Sequence, residues 1–305
     1  MTTSWLVTGA HGLLGRDVVA ELAADPDATV TGLSRDQLDI TDPAAVCAAV
    51  TGHRVVVNCA AWTDVDGAER SETAATAVNG TGVRHLARAC ADSGALLLHI
   101  STDYVFPGDV RRPYPEDAPT GPANAYGRSK LAGERAVVEL LPSTGYILRT
   151  AWLYGAHGPN FVATMLELAV RHETLDVVAD QHGQPTWSRA LARQLGALGR
   201  AALAGRAPAG IYHGTAAGHT TWCGLARETF RLSGLDPQRI RPVDSEKFPR
   251  PAARPAFGVL GHGNWLRAGL VPLPPWDDQL TAALETPAFA APAAAARTSG
   301  GCLPT

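Results

Sequence analysis

Three glycines stand where the first apolar run of the chain changes into a helix-forming segment. They are Gly9, Gly12 and Gly15 in the stretch LVTGAHGLLGRDVV. In a strand–turn–helix unit of this spacing, the first glycine permits the tight turn, the second lets the backbone approach a pyrophosphate, and the third lets helix and strand pack closely. Free N–H groups at the start of the helix favour phosphate. The loop therefore predicts a dinucleotide-binding α/β sheet, with three further loop residues beside the cofactor: His11, Leu13 and Leu14.

The rest of the first half alternates strand and helix. Five apolar runs are continuous, as expected for parallel strands that are covered on both faces. They span 4–7, 28–33, 54–60, 95–101 and 145–150. Helix-forming segments lie at 13–24, 43–50, 72–93 and 125–140. This order predicts an α/β fold with a Rossmann-type, doubly wound parallel sheet and right-handed crossovers.

The pattern changes after about residue 151. Helical segments at 160–172, 188–204 and 221–233 alternate with apolar runs at 174–180 and 210–215, and a Pro- and Arg-rich stretch follows at 241–255. We predict a cofactor-binding core in 1–150, and the remaining sheet elements with a smaller substrate-binding cap in 151–285. The small, Pro-rich residues 286–305 predict a disordered tail.

Composition restricts the classes of function. The 305 residues carry a net charge of −3, which gives no electrostatic case for binding nucleic acid or an anionic membrane. The five cysteines are scattered and form no C-x-x-C pair, which fits a reducing cytoplasm and argues against a metal cage or a disulfide framework. No apolar run approaches the roughly 18–20 residues of a membrane span, and the N-terminus does not resemble a signal peptide. We expect a cytoplasmic protein without a metal site.

The second apolar run ends in GLSRDQLDI, where dinucleotide-binding folds place the residue that contacts the adenosine ribose. Ser34 and Arg35 stand at this tip, and Arg35 can pair with a 2′-phosphate. NADPH is therefore favoured over NADH. Asp36 as the ribose contact would leave NADH open, and Arg35 could instead be a solvated surface charge. Asp39 and Ile40 follow, and Asp39 is expected near the adenine or as the cap of the next helix.

A tyrosine and a lysine stand four residues apart in AYGRSKLAGE. A helix places Tyr126 and Lys130 on one face, about 5–6 Å apart. A free phenol has a pKa near 10, and a neighbouring ammonium would lower that pKa toward neutrality. The pattern is common, so this pair alone does not establish a function. Glu134, one turn further on, is expected to form a surface salt bridge with Lys130.

Further blocks accompany the glycine loop and the Tyr–Lys pair. They are NCAAWTDVDGAE (58–69), STDYVFPG (101–108), RTAWLYGAHGPNF (149–161), DQHGQPTWSRALA (180–192) and GIYHGTAAGHTTWCGLA (210–226). In this order the blocks resemble the extended short-chain dehydrogenase/reductase superfamily and, within it, the dTDP-4-dehydrorhamnose reductase branch. The resemblance covers about residues 4–285. It implies NADPH-dependent reduction of the C4 ketone of a dTDP-4-keto-6-deoxy-L-hexose, by a monomer or a homodimer.

The resemblance also implies roles for individual residues. Tyr126 would donate a proton to the ketone oxygen, and Lys130 would hold the nicotinamide ribose and lower the pKa of Tyr126. Thr102 would hydrogen-bond the carbonyl oxygen as its negative charge grows. The backbone after the third strand would line the nicotinamide side, at Ala60, Ala61, Trp62 and Thr63. Four side chains would contact the substrate: Asp103 and Trp152 at the sugar, Asn160 and Arg254 at the nucleotide.

Several of these assignments have alternatives. Trp152 could be a core residue at a strand end, and Arg254 a solvated surface charge. The stretch RPAFGVL lacks the Asn-Ser pair that family members often carry after the Arg-Pro, so the nucleotide end of the pocket is expected to differ. His11 has no second candidate ligand nearby in the sequence and is not expected to bind a metal.

Two other functions stay open. The superfamily includes sugar-nucleotide dehydratases and epimerases, but its dehydratases place Asp-Glu after the threonine, whereas Asp103 is followed here by Tyr104. The same branch also resembles the regulatory beta subunit of methionine adenosyltransferase, which would bind NADP without turnover.

Overall fold

The computed structural model describes residues 2–299, which form an α/β fold. The strands of these residues are β1 (Thr3–Thr8), β2 (Ala28–Leu33), β3 (Val55–Asn58), β4 (Leu96–Thr102), β5 (Gly145–Thr150), β6 (Leu153–Tyr154), β7 (Leu175–Val178), β8 (His182–Gly183), β9 (Thr186–Trp187), β10 (Gly210–His213), β11 (Thr220–Thr221) and β12 (Ile240–Val243). The α-helices are α1 (Leu13–Ala23), α2 (Pro43–Val50), α3 (Val65–Arg70), α4 (Glu72–Thr76), α5 (Val83–Ser93), α6 (Ala125–Leu140), α7 (Phe161–Arg171), α8 (Ser188–Leu203), α9 (Trp222–Leu232), α10 (Gly263–Arg267), α11 (Trp276–Leu284) and α12 (Pro287–Ser299).

A parallel sheet of six strands lies at the centre, in the order β2-β1-β3-β4-β5-β10. The five apolar runs of the first half form β1 to β5, so the predicted doubly wound sheet is confirmed. Successive residues of a strand pack into the hydrophobic cores on opposite faces of the sheet. Leu6 packs in the layer that contains residues of α2, α5 and α6, whereas Val7 packs in the layer that contains residues of α1 and α8. Both faces are covered, which is why the runs are continuously apolar.

The second half of the chain completes the sheet through β10, which pairs in parallel with β5. The other strands of this half form short two-stranded pairs: β6 with β9, β7 with β12, and β8 with β11. The division at residue 150 and the role of the cap stay predictions. Among the helices of residues 2–299, none has the length and hydropathy that crossing a bilayer requires.

The strand order reverses at β1, because β2 lies on one side of it and β3 on the other. The glycine loop follows β1 at this point and presses against the end of β3. Gly9 has φ +66°, and a Cβ atom on it would lie 2.6 Å from the Ala60 backbone nitrogen. A Cβ atom on Gly15 would lie 2.2 Å from the Gly9 carbonyl oxygen. Glycine is therefore required at both positions, and the start of α1 opens at the place where doubly wound sheets bind ligands.

The segment predicted as one helix over 72–93 is interrupted. A π-helical turn, Ala77–Gly82, separates α4 from α5. Within this turn the Asn79 side chain bonds both the backbone N–H and the backbone carbonyl of Trp62, at 2.9 and 3.0 Å, and donates to Ser129 Oγ at 2.9 Å. The wide turn thus ties the segment after β3 to α6, in keeping with the occurrence of π-bulges at functional sites.

Glu134 does not form the surface salt bridge with Lys130 that its spacing predicted, so that prediction is wrong. Its carboxylate is buried and accepts two hydrogen bonds from Arg149 on β5, at 2.9 and 2.7 Å. Ser101 donates to the same carboxylate at 2.5 Å. The Lys130 ammonium donates to the Ile100 carbonyl at 2.6 Å. Both residues of α6 face the sheet, where the planar guanidinium supplies the better partner for a carboxylate.

The prediction of a disordered tail is wrong for 287–299, which form α12; residues 300–305 lie outside the described residues. Phe289 is 1% exposed and packs with Tyr154 and Leu166, while Ala296 is buried beside Met165. Alanine has the highest helix propensity, and Pro287 occupies the first helical position, where proline is tolerated. Burial of one face supplies the stability that composition alone did not indicate.

Replacing Phe289 by alanine tests this packing. We expect Phe289→Ala to lower the free energy of unfolding by about 3–5 kcal/mol, the usual cost of deleting a buried phenyl ring. As a control, Phe248→Ala removes a ring that is 44% exposed and should cost less than about 1 kcal/mol. Urea denaturation measures both values. Equal, small effects would mean that α12 does not pack against the protein.

Candidate active site

A cleft of about 1250 Å³ runs along the carboxyl ends of the central strands. Its walls come from the glycine loop, the ends of β2, β3, β4 and β5, the start of α6 and the loop at 156–159. Single small-molecule sites usually enclose about 300–1,000 Å³. The cleft is therefore large enough for an extended dinucleotide and a second ligand that meets one end of it.

Most of the residues singled out in the sequence line this one cleft. They are Gly9, His11, Gly12, Leu13, Leu14, Gly15, Arg35, Asp39, Ile40, Ala60, Ala61, Trp62, Thr63, Thr102, Asp103, Tyr126, Lys130 and Trp152. The fold thus brings together segments that are more than a hundred residues apart in the chain. Their individual roles stay predictions.

Ser34 and Asn160 lie outside the cleft lining. Ser34 is buried, and both its backbone N–H and its hydroxyl donate to the side chain of Gln37, at 2.9 and 3.0 Å. Asn160 caps α7 by accepting from the Ala163 N–H at 3.1 Å, and its amide group donates to the carbonyls of Gly155 and Gly158. These bonds occupy the Asn160 amide, so its side chain does not support the predicted nucleotide contact. An asparagine directly before a helix is itself a capping signal.

Arg254 is bound to a carboxylate. It donates to both oxygens of Asp66 on α3, at 2.5 and 3.0 Å, and this pairing holds the pKa of Asp66 below its ordinary value. It borders a small cavity beside the cleft, together with Asp103, Tyr104 and His182. Of the sequence alternatives for Arg254, the solvated surface charge is excluded, because a structural ion pair engages the guanidinium.

Tyr126 and Thr102 face each other across the junction of α6 and β4. The Thr102 hydroxyl caps a 3₁₀ turn by accepting from the Tyr104 N–H at 3.2 Å, and it lies close enough to the Tyr126 phenol to lower the pKa of that phenol. Asn124 caps α6 by accepting from the Gly127 N–H at 2.8 Å. A Cβ atom on Gly127 would lie 2.2 Å from the Tyr104 carbonyl oxygen, so only glycine lets the helix start this close to the turn.

The pKa of Tyr126 departs from the sequence prediction. Burial raises this pKa above its ordinary value, and the neighbouring Asp103 and Tyr104 raise it further, against a smaller lowering by the Thr102 hydrogen bond. The predicted lowering by Lys130 is wrong for the protein alone, because the ammonium is bonded to the Ile100 carbonyl. Burial lowers the pKa of Lys130 itself to about 8. At neutral pH the phenol is therefore protonated, the form that a proton donor requires.

Asp103 lies between the cleft and the small cavity and is 4% exposed. Its Oδ1 atom accepts a hydrogen bond from the Thr102 hydroxyl at 3.0 Å. Within the described residues its Oδ2 atom has no hydrogen-bond partner. Burial raises the pKa of this carboxyl to about 7, against smaller lowering by its hydrogen bonds. A carboxyl in this state can change its protonation near neutral pH.

An aromatic wall closes one side of the cleft. The Trp152 indole stacks on Trp222 with 3.5 Å between ring centroids and an interplanar angle of 9°. Gly183 contacts the same indole, since a Cβ atom there would lie 2.3 Å from Trp152 Cε2. Trp152 has φ +47°, the one positive φ among the non-glycine residues in 2–299. The stacking holds the ring at the cleft surface despite the backbone strain. Sequence reasoning missed Trp222, whose only signal is its place in TTWCGLA.

A family model described as the RmlD substrate binding domain matches residues 3–288. The chain is 61% identical over 279 residues to a dTDP-4-dehydrorhamnose reductase of Streptomyces griseus, covering 91% of each chain. It is 53% identical over 285 residues to a dTDP-4-keto-6-deoxy-D-glucose reductase of Streptomyces niveus, covering 93% of this chain and 97% of that protein. The solved dTDP-4-dehydrorhamnose reductase of Bacillus anthracis, in complex with NADP, has a TM-score of 0.88 and 36% identity, covering 94% of this chain and 100% of the other.

The buried Asp103 carboxyl predicts a pH-dependent stability. Its folded pKa of about 7 lies above the ordinary value of 3.8, so the folded state binds more protons between these values. Stability contributed by this group is therefore present at low pH and is lost as pH rises through about 7. Relative to wild type, Asp103→Asn should gain stability from pH 5 to pH 8, by about 2.5 kcal/mol.

Thermal unfolding at several pH values measures this difference. The control Asp117→Asn changes an exposed carboxylate and should show a constant difference over the same range. A constant difference for Asp103→Asn as well would contradict the assignment of a raised pKa to Asp103.

Proposed function

Since the chain belongs to the dTDP-4-dehydrorhamnose reductase family, we propose that it reduces the C4 ketone of a dTDP-4-keto-6-deoxy-L-hexose, with NADPH as the hydride donor. The product would be dTDP-L-rhamnose or a related deoxysugar. The observation that carries the proposal is the Tyr126 phenol beside the Thr102 hydroxyl, inside the cleft that the glycine loop also lines. The chain is thus an oxidoreductase that acts on a C=O group.

The residues at one end of the cleft fit the phosphates of a dinucleotide. Gly12 caps α1 without any side-chain hydrogen bond, and the first turn of α1 contains no acidic residue. Its N–H groups are therefore available to a pyrophosphate. Arg35 lines the cleft, is exposed, and forms no ion pair within residues 2–299. Asp36 next to it does not line the cleft. This arrangement favours a 2′-phosphate on the cofactor and hence NADPH over NADH.

The chemistry divides between cofactor and protein. When bound, NADPH supplies a hydride to the carbonyl carbon. Tyr126 donates its phenol proton to the ketone oxygen, and the Thr102 hydroxyl stabilises the negative charge that grows on that oxygen. Lys130 would hold the nicotinamide ribose at the Tyr126 end of the cleft. The Trp152 indole offers an apolar face against which the carbon-bound hydrogens of a deoxysugar can pack.

A keto sugar of the D-configuration is a second candidate substrate. The relative from Streptomyces niveus is named for a dTDP-4-keto-6-deoxy-D-glucose substrate, and its identity of 53% favours testing the D-configured sugar beside the L-configured one. The dehydratase alternative is weaker, because Tyr104 occupies the position of its second acidic residue. The non-catalytic NADP-binding subunit would bind NADPH without oxidising it in the presence of any keto sugar.

The first test measures NADPH oxidation with both keto sugars and identifies the product by NMR. We expect turnover with one of them, and a loss of about 10²–10⁴-fold in kcat for Tyr126→Phe, which removes the proton donor. Tyr146→Phe is the matched control, because that buried phenol donates to the Ala207 carbonyl and lies outside the cleft lining. An unchanged rate in Tyr126→Phe would refute the assignment.

A second test concerns the cofactor. We expect Arg35→Ala to raise the KM for NADPH by about 10- to 100-fold, because it removes a hydrogen bond between two charged groups. The KM for NADH, which has no 2′-phosphate, should stay unchanged. Asp36→Ala should change neither constant. Should Asp36→Ala alter NADH use while Arg35→Ala leaves NADPH use intact, the roles of these neighbours would be reversed.

A further inference from the structure

The hydroxyl group of Thr102 has one hydrogen, and two acceptors compete for it: the Asp103 carboxylate and the ketone oxygen of the substrate. The structure directs the hydroxyl to the Asp103 Oδ1 atom at 3.0 Å. The proposed reaction needs the same hydrogen for the ketone oxygen. The Tyr104 N–H already donates to Thr102 Oγ1, as the Tyr126 phenol can. An ionised Asp103 therefore competes with the substrate for the single donor of Thr102.

We propose that Asp103 acts in its protonated form, freeing the Thr102 hydroxyl for the ketone and then returning a proton to Tyr126 through that hydroxyl. The proposal rests on the proposed ketone reduction and adds a positioning and proton-supplying residue to it. With a proton on Oδ1, Asp103 donates to Thr102 Oγ1, and the Thr102 hydrogen turns toward the cleft. Protonation thus reverses one hydrogen bond and completes a chain from Asp103 to Tyr126.

Among the described residues, no cation forms an ion pair with Asp103. Oδ2 has no partner within the described residues, and it faces Gly258, where a Cβ atom would lie 2.6 Å away. Lys130 in the cleft and Arg254 in the small cavity are each bonded to another group. Arg254 is paired with Asp66, and Lys130 donates to the Ile100 carbonyl. A buried carboxylate without a paired cation favours its neutral form.

Other titratable groups face Asp103 from its own turn and from neighbouring elements. Tyr104 and Tyr126 both have raised pKa values, so neither ionises near neutral pH. His182 lines the small cavity, and burial lowers its pKa below the ordinary value of 6.5. Lys130 has a pKa of about 8, on the other side of the Asp103 value. Any experiment must separate Asp103 from both His182 and Lys130.

The proton balance of the step is complete. The hydride of NADPH forms the new C–H bond, and the carbonyl oxygen takes the phenol proton of Tyr126 to become a hydroxyl group. The Tyr126 phenolate then takes the hydroxyl proton of Thr102, and Thr102 takes the carboxyl proton of Asp103. Asp103 is left as a carboxylate and recovers a proton from water before the next turnover. The net reaction consumes one hydride and one proton.

The test compares the pH dependence of kcat in wild type and Asp103→Asn, with saturating NADPH and keto sugar. In wild type we expect kcat to fall as pH rises through about 7. The amide cannot exchange this proton, so the variant should lack that decline and keep only the one near 8 from Lys130. Below pH 7 its kcat should be lower by about tenfold, less than the loss of a direct general acid, because Tyr126 still donates.

A substrate-free measurement keeps the test independent of turnover. Infrared difference spectra of wild type between pH 6 and pH 8 should show the loss of a protonated carboxyl band, absent in Asp103→Asn and retained in the control Asp117→Asn. The proposal is overturned if wild type shows no such band, if the variant keeps the decline of kcat near pH 7, or if only the KM for the keto sugar changes. Failure of the proposed function is distinct, since wild type would then oxidise no NADPH with either sugar.

Discussion

The ion pair between Glu134 and Arg149 is the contact on which the geometry of the site depends. It joins α6 to β5, and Ser101 of β4 donates to the same carboxylate. Ser101 lines the cleft itself, Arg149 precedes the cleft residue Thr150, and Glu134 lies one helical turn after the cleft residue Lys130. Removing one member of a buried pair leaves an uncompensated charge, which is strongly destabilising. The pair therefore fixes where the start of α6 meets the end of β4.

Buried ionisable groups have matched partners in the scaffold beneath the cleft, but those in the cleft do not. In the scaffold, Glu134 has its charge matched by a bidentate partner, and Asp17 accepts a hydrogen bond from Ser188. In the cleft, Asp103 keeps an oxygen without a hydrogen-bond partner among the described residues, and burial lowers the pKa of Lys130. Such groups cost stability when charged. Their concentration beside Tyr126 is what distinguishes an active site from a merely well-packed sheet edge.

The sequence predicted the features that arise from local constraints. Continuous apolar runs predicted the parallel strands, because a strand covered on both faces needs apolar residues at every position. The glycine spacing predicted the loop after β1, because Gly9 and Gly15 approach neighbouring backbone too closely for a side chain. The Tyr126–Lys130 spacing predicted two side chains in one cleft, since a helix places i and i+4 on one face. None of these inferences requires knowledge of distant partners.

The differences from the sequence predictions arose where a residue far away in the chain determines the interaction. The i,i+4 neighbour of Glu134 is Lys130, but Arg149 offers a planar fork from another strand. Asn160 caps its own helix, a role that the sequence analysis did not assign, and its predicted contact with the nucleotide stays a prediction. The composition of 287–299 indicated disorder, because composition alone does not show that Phe289 is buried against the rest of the protein. Trp222 lies in the block 210–226, but nothing in the sequence indicates that it stacks on Trp152.

The raised pKa of Tyr126 changes how the proton transfer must be understood. A buried phenol remains protonated at neutral pH, yet its phenolate is less stable than in water because the charge is poorly solvated. Hydride arrival at the ketone carbon would create a strongly basic oxygen, so the first transfer from Tyr126 is favourable. The phenolate left behind is itself a strong base in this environment, and an ionised Asp103 beside it would destabilise it further. In the proposed mechanism a neutral Asp103, connected through Thr102, instead supplies a proton to the phenolate.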